Sequence, residues 1–316
     1  MLRISKAIFT FCMVTVFCHL ATLSHAKVDL KPFFGEVPGE KGVYIKPYRE
    51  GFVVEFADMN ENLVFLPEGK EGYFWGRNSG EIMQGEKYMW AVVRDLVLKI
   101  HIFQFDQEGN YKILTYCYEC MGSNLKNMVE SFYLQEPKQK PQSTQSPAKL
   151  EDFFGVFVGQ SFVVDEAGNV QEGHIRDIEL IVEPYRRGRG FQIEWITVIY
   201  NQKRTEVGVR RRSNLAKFEP APIEGLFQEV TKNNPFKINK SFNLLDGDVL
   251  VWSRLDSGYL TTYSLQITDE GTYILKTYAR DLTDTGSNID FVAYEDGEKV
   301  KQIRGVLTRV KSTMGP

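Results

Sequence analysis

A stretch of thirty residues occurs twice in this chain. Trp90 to Glu119 reads WAVVRDLVLKIHIFQFDQEGNYKILTYCYE, and Trp252 to Asp281 reads WSRLDSGYLTTYSLQITDEGTYILKTYARD. Trp90 answers Trp252, Gly109 answers Gly271, Tyr111 answers Tyr273, and Thr115-Tyr116 answers Thr277-Tyr278, without a gap. Three further blocks keep the same order. Phe33-Phe34-Gly35 with Gly39 matches Phe153-Phe154-Gly155 with Gly159. Pro47-Tyr48-Arg49 matches Pro184-Tyr185-Arg186. Gly51-Phe52 with Glu55-Phe56 matches Gly190-Phe191 with Glu194-Trp195. Generic strand-and-turn composition would produce one such block; several in order indicate a duplicated unit. The second copy is the longer, with extra residues near 160–175 and 213–247.

Each copy reads as antiparallel sheet. Phe191, Ile193, Trp195, Thr197 and Ile199 share one face, with Gln192 and Glu194 opposite. Tyr259, Tyr263, Leu265 and Ile267 share another, with Thr262, Ser264 and Gln266 opposite. Period-two alternation is the pattern of strands wet on one side. Asp106-Gln107-Glu108-Gly109-Asn110 and Asp269-Glu270-Gly271 link apolar runs, and glycine supplies the positive φ of a tight hairpin. The spacing predicts about eight strands in copy one and nine or ten in copy two, as in a sandwich or barrel. One short helix is expected within 219–232.

Pro137 to Pro147, PKQKPQSTQSP, holds no apolar residue and reads as a linker. Residues 1–26 read as a signal peptide: Arg3 and Lys6 precede an apolar run, Ala7 to Leu23, and Ser24-His25-Ala26 offers a cleavage site. The alternative is an uncleaved anchor, but the apolar run is short for a span. The expected organisation is therefore a leader at 1–26, a shorter β-domain at 27–136, the linker at 137–147 and a second β-domain at 148–312. The mature protein is expected to be exported, periplasmic or secreted, and not integral to a membrane. A net charge of −3 in 316 residues gives no global field that favours nucleic acid.

The Phe-Gly-x-x-x-Gly opening of each copy, followed by up-and-down strands and a last strand such as Val300–Arg309, resembles the lipocalin-like (calycin) β-barrels, in particular secreted ones of Gram-negative bacteria. The resemblance covers most of 153–309 and, more faintly, copy one. Lipocalins usually carry Gly-x-Trp near the start; here Phe34-Gly35 and Phe154-Gly155 stand instead, which leaves open whether either barrel is an open cup. The resemblance implies an all-β fold of two tandem antiparallel up-and-down barrels. It also implies non-catalytic binding of a hydrophobic small molecule or lipid inside a barrel, although a barrel of this size also accommodates a solid interior.

On this reading Phe191, Ile193, Trp195, Tyr259, Tyr263 and Leu265 are expected to line a ligand site in copy two. His101, which aligns with Tyr263, is either a hydrogen-bonded core residue or a ligand contact, haem iron included. Arg186, Arg187 and Arg189 in PYRRGRG and the run Arg210-Arg211-Arg212 are solvated loops or a docking surface. They could meet an envelope protein or copy one, where 12 Lys+Arg stand against 17 Asp+Glu in residues 27–136. Cys117 and Cys120, the two cysteines after the leader, have neither haem-attachment nor thioredoxin context. They would form a disulfide only if their strand curls at the rim. No nucleophile elbow, His-Glu-x-x-His or phosphate loop occurs, no metal set is evident and no motif names a cofactor. Glu55 and Glu194, at matched strand positions, read as solvent-facing. An envelope interaction module with filled barrels, acting through its loops, is the alternative function, and an isomerase or cyclase on a calycin barrel is a third.

Overall fold

A computed structural model describes residues 28–37, 41–57, 62–77, 87–121, 124–132, 148–165, 167–199, 210–230 and 242–311. The expected leader (1–26) and linker (137–147) lie outside them. Two antiparallel meanders account for nearly all of the chain described. The first comprises β1 (Gly35–Glu36), β2 (Val43–Tyr48), β3 (Gly51–Phe56), β4 (Asn62–Pro67), β5 (Tyr73–Arg77), β6 (Lys87–Arg94), β7 (Val97–Phe105), β8 (Tyr111–Met121) and β9 (Asn124–Phe132). The second comprises β10 (Gly155–Val164), β11 (Val170–Tyr185), β12 (Gly190–Ile199), β13 (Arg210–Pro220), β14 (Leu226–Glu229), β15 (Leu250–Asp256), β16 (Tyr259–Ile267), β17 (Tyr273–Leu282), β18 (Gly286–Glu295) and β19 (Glu298–Lys311). In both, strands pair with their sequence neighbours, the up-and-down order expected from the hairpin signals.

The second sheet closes: β10 pairs with β19 from Val156↔Lys311 to Val164↔Gln302. The first is a curled half-barrel, so the two tandem antiparallel barrel-like domains expected are present and the question of closure has a different answer in each. The half-barrel's opening strand β1 has two residues, too few to seal a seam, whereas β10 has ten. The helix expected within 219–232 is absent from its described part: Glu219 and Pro220 end β13, and after a turn at Gly225 the chain enters β14. Pro220, Pro222 and Gly225 break the backbone there, and Leu226 and Phe227 are buried as strand residues.

The two copies build the same floor. Phe52 stacks on Phe65 at 4.8 Å and meets Phe74 edge-on at 5.3 Å; Phe191 stacks on Phe218 at 4.8 Å and meets Phe227 edge-on at 5.1 Å. A 3-10 turn plugs each floor, with Leu30 and Phe33 in one and Leu150 and Phe153 in the other.

The duplicated hairpins pack against each other. Trp90 stands opposite His101 across the ladder and stacks on it at 4.8 Å; both meet Tyr273 of the second copy edge-on, at 6.1 and 5.8 Å. Trp252 stands opposite Tyr263 and stacks on it at 5.0 Å; both meet Tyr111 of the first copy edge-on, each at 5.2 Å. The arrangement is reciprocal, residue for matched residue. Trp90 Nε1 also donates to the Gly271 carbonyl at 3.2 Å. Polar groups at the margin run against the expected polarity. Lys70 and Lys99 of the first copy reach Asp269 and Asp296 of the second, while Arg254 of the second donates to Asn110 of the first. Among the described residues, no ion pair joins the Arg186–Arg189 turn to the first copy; Arg186 pairs with Glu219.

This packing settles where His101 sits. It is fully buried between the two sheets, with Nδ1 at 3.0 Å from Thr115 Oγ1 and Nε2 lacking a hydrogen-bond partner, and it lines neither interior. Burial pushes its pKa down to about 4; Asp296 pulls it up and Lys99 pushes it further down. The unfolded chain takes up this proton near 6.5 and the folded chain near 4, so the contribution of neutral His101 is intact above 6.5. It is lost as pH falls toward 4, by up to about 1.4 kcal/mol per pH unit. His101→Phe is expected to flatten that dependence in urea denaturations run between pH 7 and pH 4.5. Gly271 has φ +83°, and a Cβ on it would lie 2.3 Å from Val92 Cγ2 of the first copy. Gly271→Ala should therefore cost roughly 2 kcal/mol or more in the same assay.

Candidate ligand-binding cavity

The closed barrel encloses a cavity of about 300 Å³ above its aromatic floor. Alternation along each strand decides what faces it. From β12 come Trp195 and Thr197; from β11, Arg176, Ile178 and Leu180; from β17, Lys276, Tyr278 and Arg280. Trp195, Tyr278 and Phe291 form an aromatic wall, with ring centroids 5.7 Å apart for the first pair and 4.7 Å for the second. Phe191 and Ile193 point inward from the same face of β12 as Trp195, but lower, in the packed floor.

Tyr263 and Leu265, expected beside them, face the opposite way. They belong to the core shared with Trp252, Phe103 and Tyr111 of the clasp. Tyr259 lies on that same outer face of β16, whose inward set is Leu260, Thr262 and Ser264. The apolar face of β16 was expected inside because a lone barrel has one apolar target. Here it has two, and the first sheet takes the more apolar face.

Among the described residues, the inward charges are cationic: Arg176, Arg212, Lys276, Arg280 and Lys301 border the cavity. The one carboxylate at its border, Asp290, stands on the opposite face of β18 from Ile289 and Phe291, where its two oxygens accept from Gln302 Nε2 at 3.0 and 3.1 Å. An adjoining recess shares Trp195, Asn214, Lys276 and Tyr278 and adds Glu229. Arg280 is the deepest cation, at 4% exposure. Its Nη1 donates to Thr262 Oγ1 at 3.0 Å and to the Tyr278 carbonyl at 3.1 Å. Burial lowers its pKa to about 10, with the Tyr278 phenol opposing, so it remains charged at neutral pH. Burial also lowers Arg176 and Lys301, and like-charge neighbours add to it: Arg212 acts on Arg176, and both arginines act on Lys301. Among the described residues, no group of three or more metal-ligating side chains occurs.

Of the arginines expected to dock a partner, Arg186 pairs with Glu219 and lies over the Tyr185 ring, and Arg187 and Arg189 are exposed on the same turn. Arg212 instead turns to the cavity mouth; the side chains of Arg210 and Arg211 lie outside the described residues. Cys117 and Cys120 stand on one unbroken stretch of β8, opposite Lys99 and Leu125 respectively, so the curl that a bridge requires is not formed; the Cys120 side chain lies outside the described residues. Glu55 pairs with Lys46, and Glu194 accepts from Ser213 Oγ at 2.7 Å, both at the surface.

Sequence reasoning missed Lys276, Tyr278, Arg280, Arg176 and Lys301. On β17 the first three alternate with apolar or small residues and read as a wet outer face. The available signal was the copy-to-copy comparison. Lys276, Tyr278 and Arg280 match Leu114, Tyr116 and Tyr118, which pack in the apolar core of the half-barrel.

No family model matches the chain, and neither does any curated protein. Among solved structures it is similar to a protein of unknown function from the DUF3598 family of Nostoc punctiforme, at 12% identity over 85% of this chain and 87% of that one, with a TM-score of 0.36. A likeness of that degree carries no argument about function.

Lysines react with acylating reagents as the neutral amine, so the depressed pKa of Lys301 has a chemical consequence. At pH 8, Lys301 is expected to be acetylated more slowly in Arg212→Gln than in the wild type, because removing a neighbouring cation raises its pKa. Peptide mass spectrometry after timed acetic anhydride treatment checks this.

Proposed function

We propose that this is an exported, non-enzymatic binding protein, lipocalin-like in its second barrel, that holds a hydrophobic small molecule or lipid there. One observation carries the reading: the same unit is built twice on matching floors, and above the floor of the second copy lies an aromatic-walled cavity. Side chains such as Leu114 and Tyr118 fill the corresponding space in the first copy. A volume of about 300 Å³ is at the small end of the range for ligand sites. The alternative, an envelope docking module with filled barrels, fits the first domain alone. No catalytic constellation of nucleophile, base and orienting group converges on the cavity among the described residues.

The neutral dye N-phenyl-1-naphthylamine tests the reading. It is expected to bind saturably with rising fluorescence and to quench tryptophan emission, less so in Trp195→Phe. Thr197→Trp, which projects an indole into the cavity, should weaken it about tenfold or more, equivalent to 1.4 kcal/mol. No saturable binding, or binding indifferent to Thr197→Trp, would count against the cavity as the site.

A further inference from the structure

Among the described residues, five cations border this cavity while its one bordering carboxylate, Asp290, points to the outer face, and a purely apolar occupant would leave the cations unanswered. Arg280 states the case most sharply. A guanidinium carries five N–H donors, and the two protein acceptors given above, a hydroxyl and a carbonyl, are both neutral. Among the described residues, no carboxylate lies within ion-pairing distance of it. Asp290 is occupied by Gln302, and Glu229 borders the side recess. A buried cation without a counter-charge is costly, and an anion delivered by a ligand removes that cost. The other cations grade outward: Arg176 and Lys276 are half-buried, and Arg212 and Lys301 are exposed at the mouth. Like charges there repel one another, and a bound anion relieves that repulsion as well.

We propose that the cavity takes an organic anion, a compact amphiphile whose carboxylate or phosphate sits on Arg280 while its apolar body lies along Trp195, Tyr278 and Phe291. Arg176, Arg212 and Lys301 draw it in at the mouth. The proposal rests on the barrel being a small-molecule site and adds the charge of the ligand and the residue that reads it. The cavity holds the volume of about ten water molecules, which suits a chain of similar atom count. Guanidinium binds either oxyanion through paired N–H donors, so the two acids share one recognition chemistry.

Displacement of N-phenyl-1-naphthylamine from the mature chain by decanoate, decyl phosphate and decanol tests it. Both anions, or one of them, should compete about tenfold or more better than decanol at low salt, with the advantage shrinking as salt rises. The stronger of the two identifies the headgroup class. Arg280→Met should bring the anion-to-alcohol ratio close to one. Should that variant fail to fold, the double variant Arg176→Gln/Arg212→Gln, altered at the mouth, should reduce the ratio about threefold. Decanol competing as well as both anions, or a ratio indifferent to all these substitutions, overturns the anion proposal and leaves the apolar site standing. If neither the dye nor any of the three competitors binds, the small-molecule reading falls too.

Discussion

The reciprocal contact between the two copies of one hairpin organises this molecule. Trp90 with His101 against Tyr273, and Trp252 with Tyr263 against Tyr111, form two matched halves of one aromatic cluster. Such reciprocity is the geometry of a self-complementary patch, the kind that pairs identical subunits about a two-fold axis. Duplication in one chain places the same patch on both partners. An aromatic side chain buries about 150–250 Å², at about 25 cal/mol per Å². The cluster therefore outweighs the peripheral ion pairs, of which Lys70–Asp269 is fully exposed and open to screening by salt.

That contact also explains which strands read clearly in the sequence and which did not. The meander, the hairpin turns at Gly109 and Gly271 and the duplication were legible because each is a local signal repeated. On β12, one apolar face and one polar face gave the correct inward set. On β16 the same rule put Tyr263 and Leu265 inside, when they are outside against the first sheet. β6 shows the difficulty from the other side: Tyr88 to Val93 are all buried, because alternate residues serve the half-barrel core and the clasp. A strand buried on both faces carries no alternation to read. The cavity cations were hidden for the complementary reason, since a charged residue at every second position looks like a wet surface.

The half-barrel and the barrel differ most where a ligand would sit. Leu114 and Tyr118 in the first copy give way to Lys276 and Arg280 in the second, on the same ladder positions of the same strand. The floors below have not diverged in this way: Phe52, Phe65 and Phe74 correspond to Phe191, Phe218 and Phe227. Apolar packing is kept in the lower half of each unit, and the upper half of the second carries charge.

What keeps a barrel wall stable when its inner face is charged is the remaining physical question, and the clasp supplies an answer. On β17, Tyr273, Leu275 and Thr277 point outward and are buried, two of them in the core shared with the first sheet. The intervening residues, Lys276, Tyr278 and Arg280, face the cavity. In a solitary barrel the outer face of this strand would be wet, and its inner face alone would have to supply the apolar burial that offsets chain ordering. Here the first domain covers the outside, so burial has moved from the inner to the outer face of β15, β16 and β17. The filled copy thus has a mechanical part in the proposed site: by packing on the back of the wall, it lets the front carry cations that a lone β-barrel of this size would accommodate only at a cost to its core.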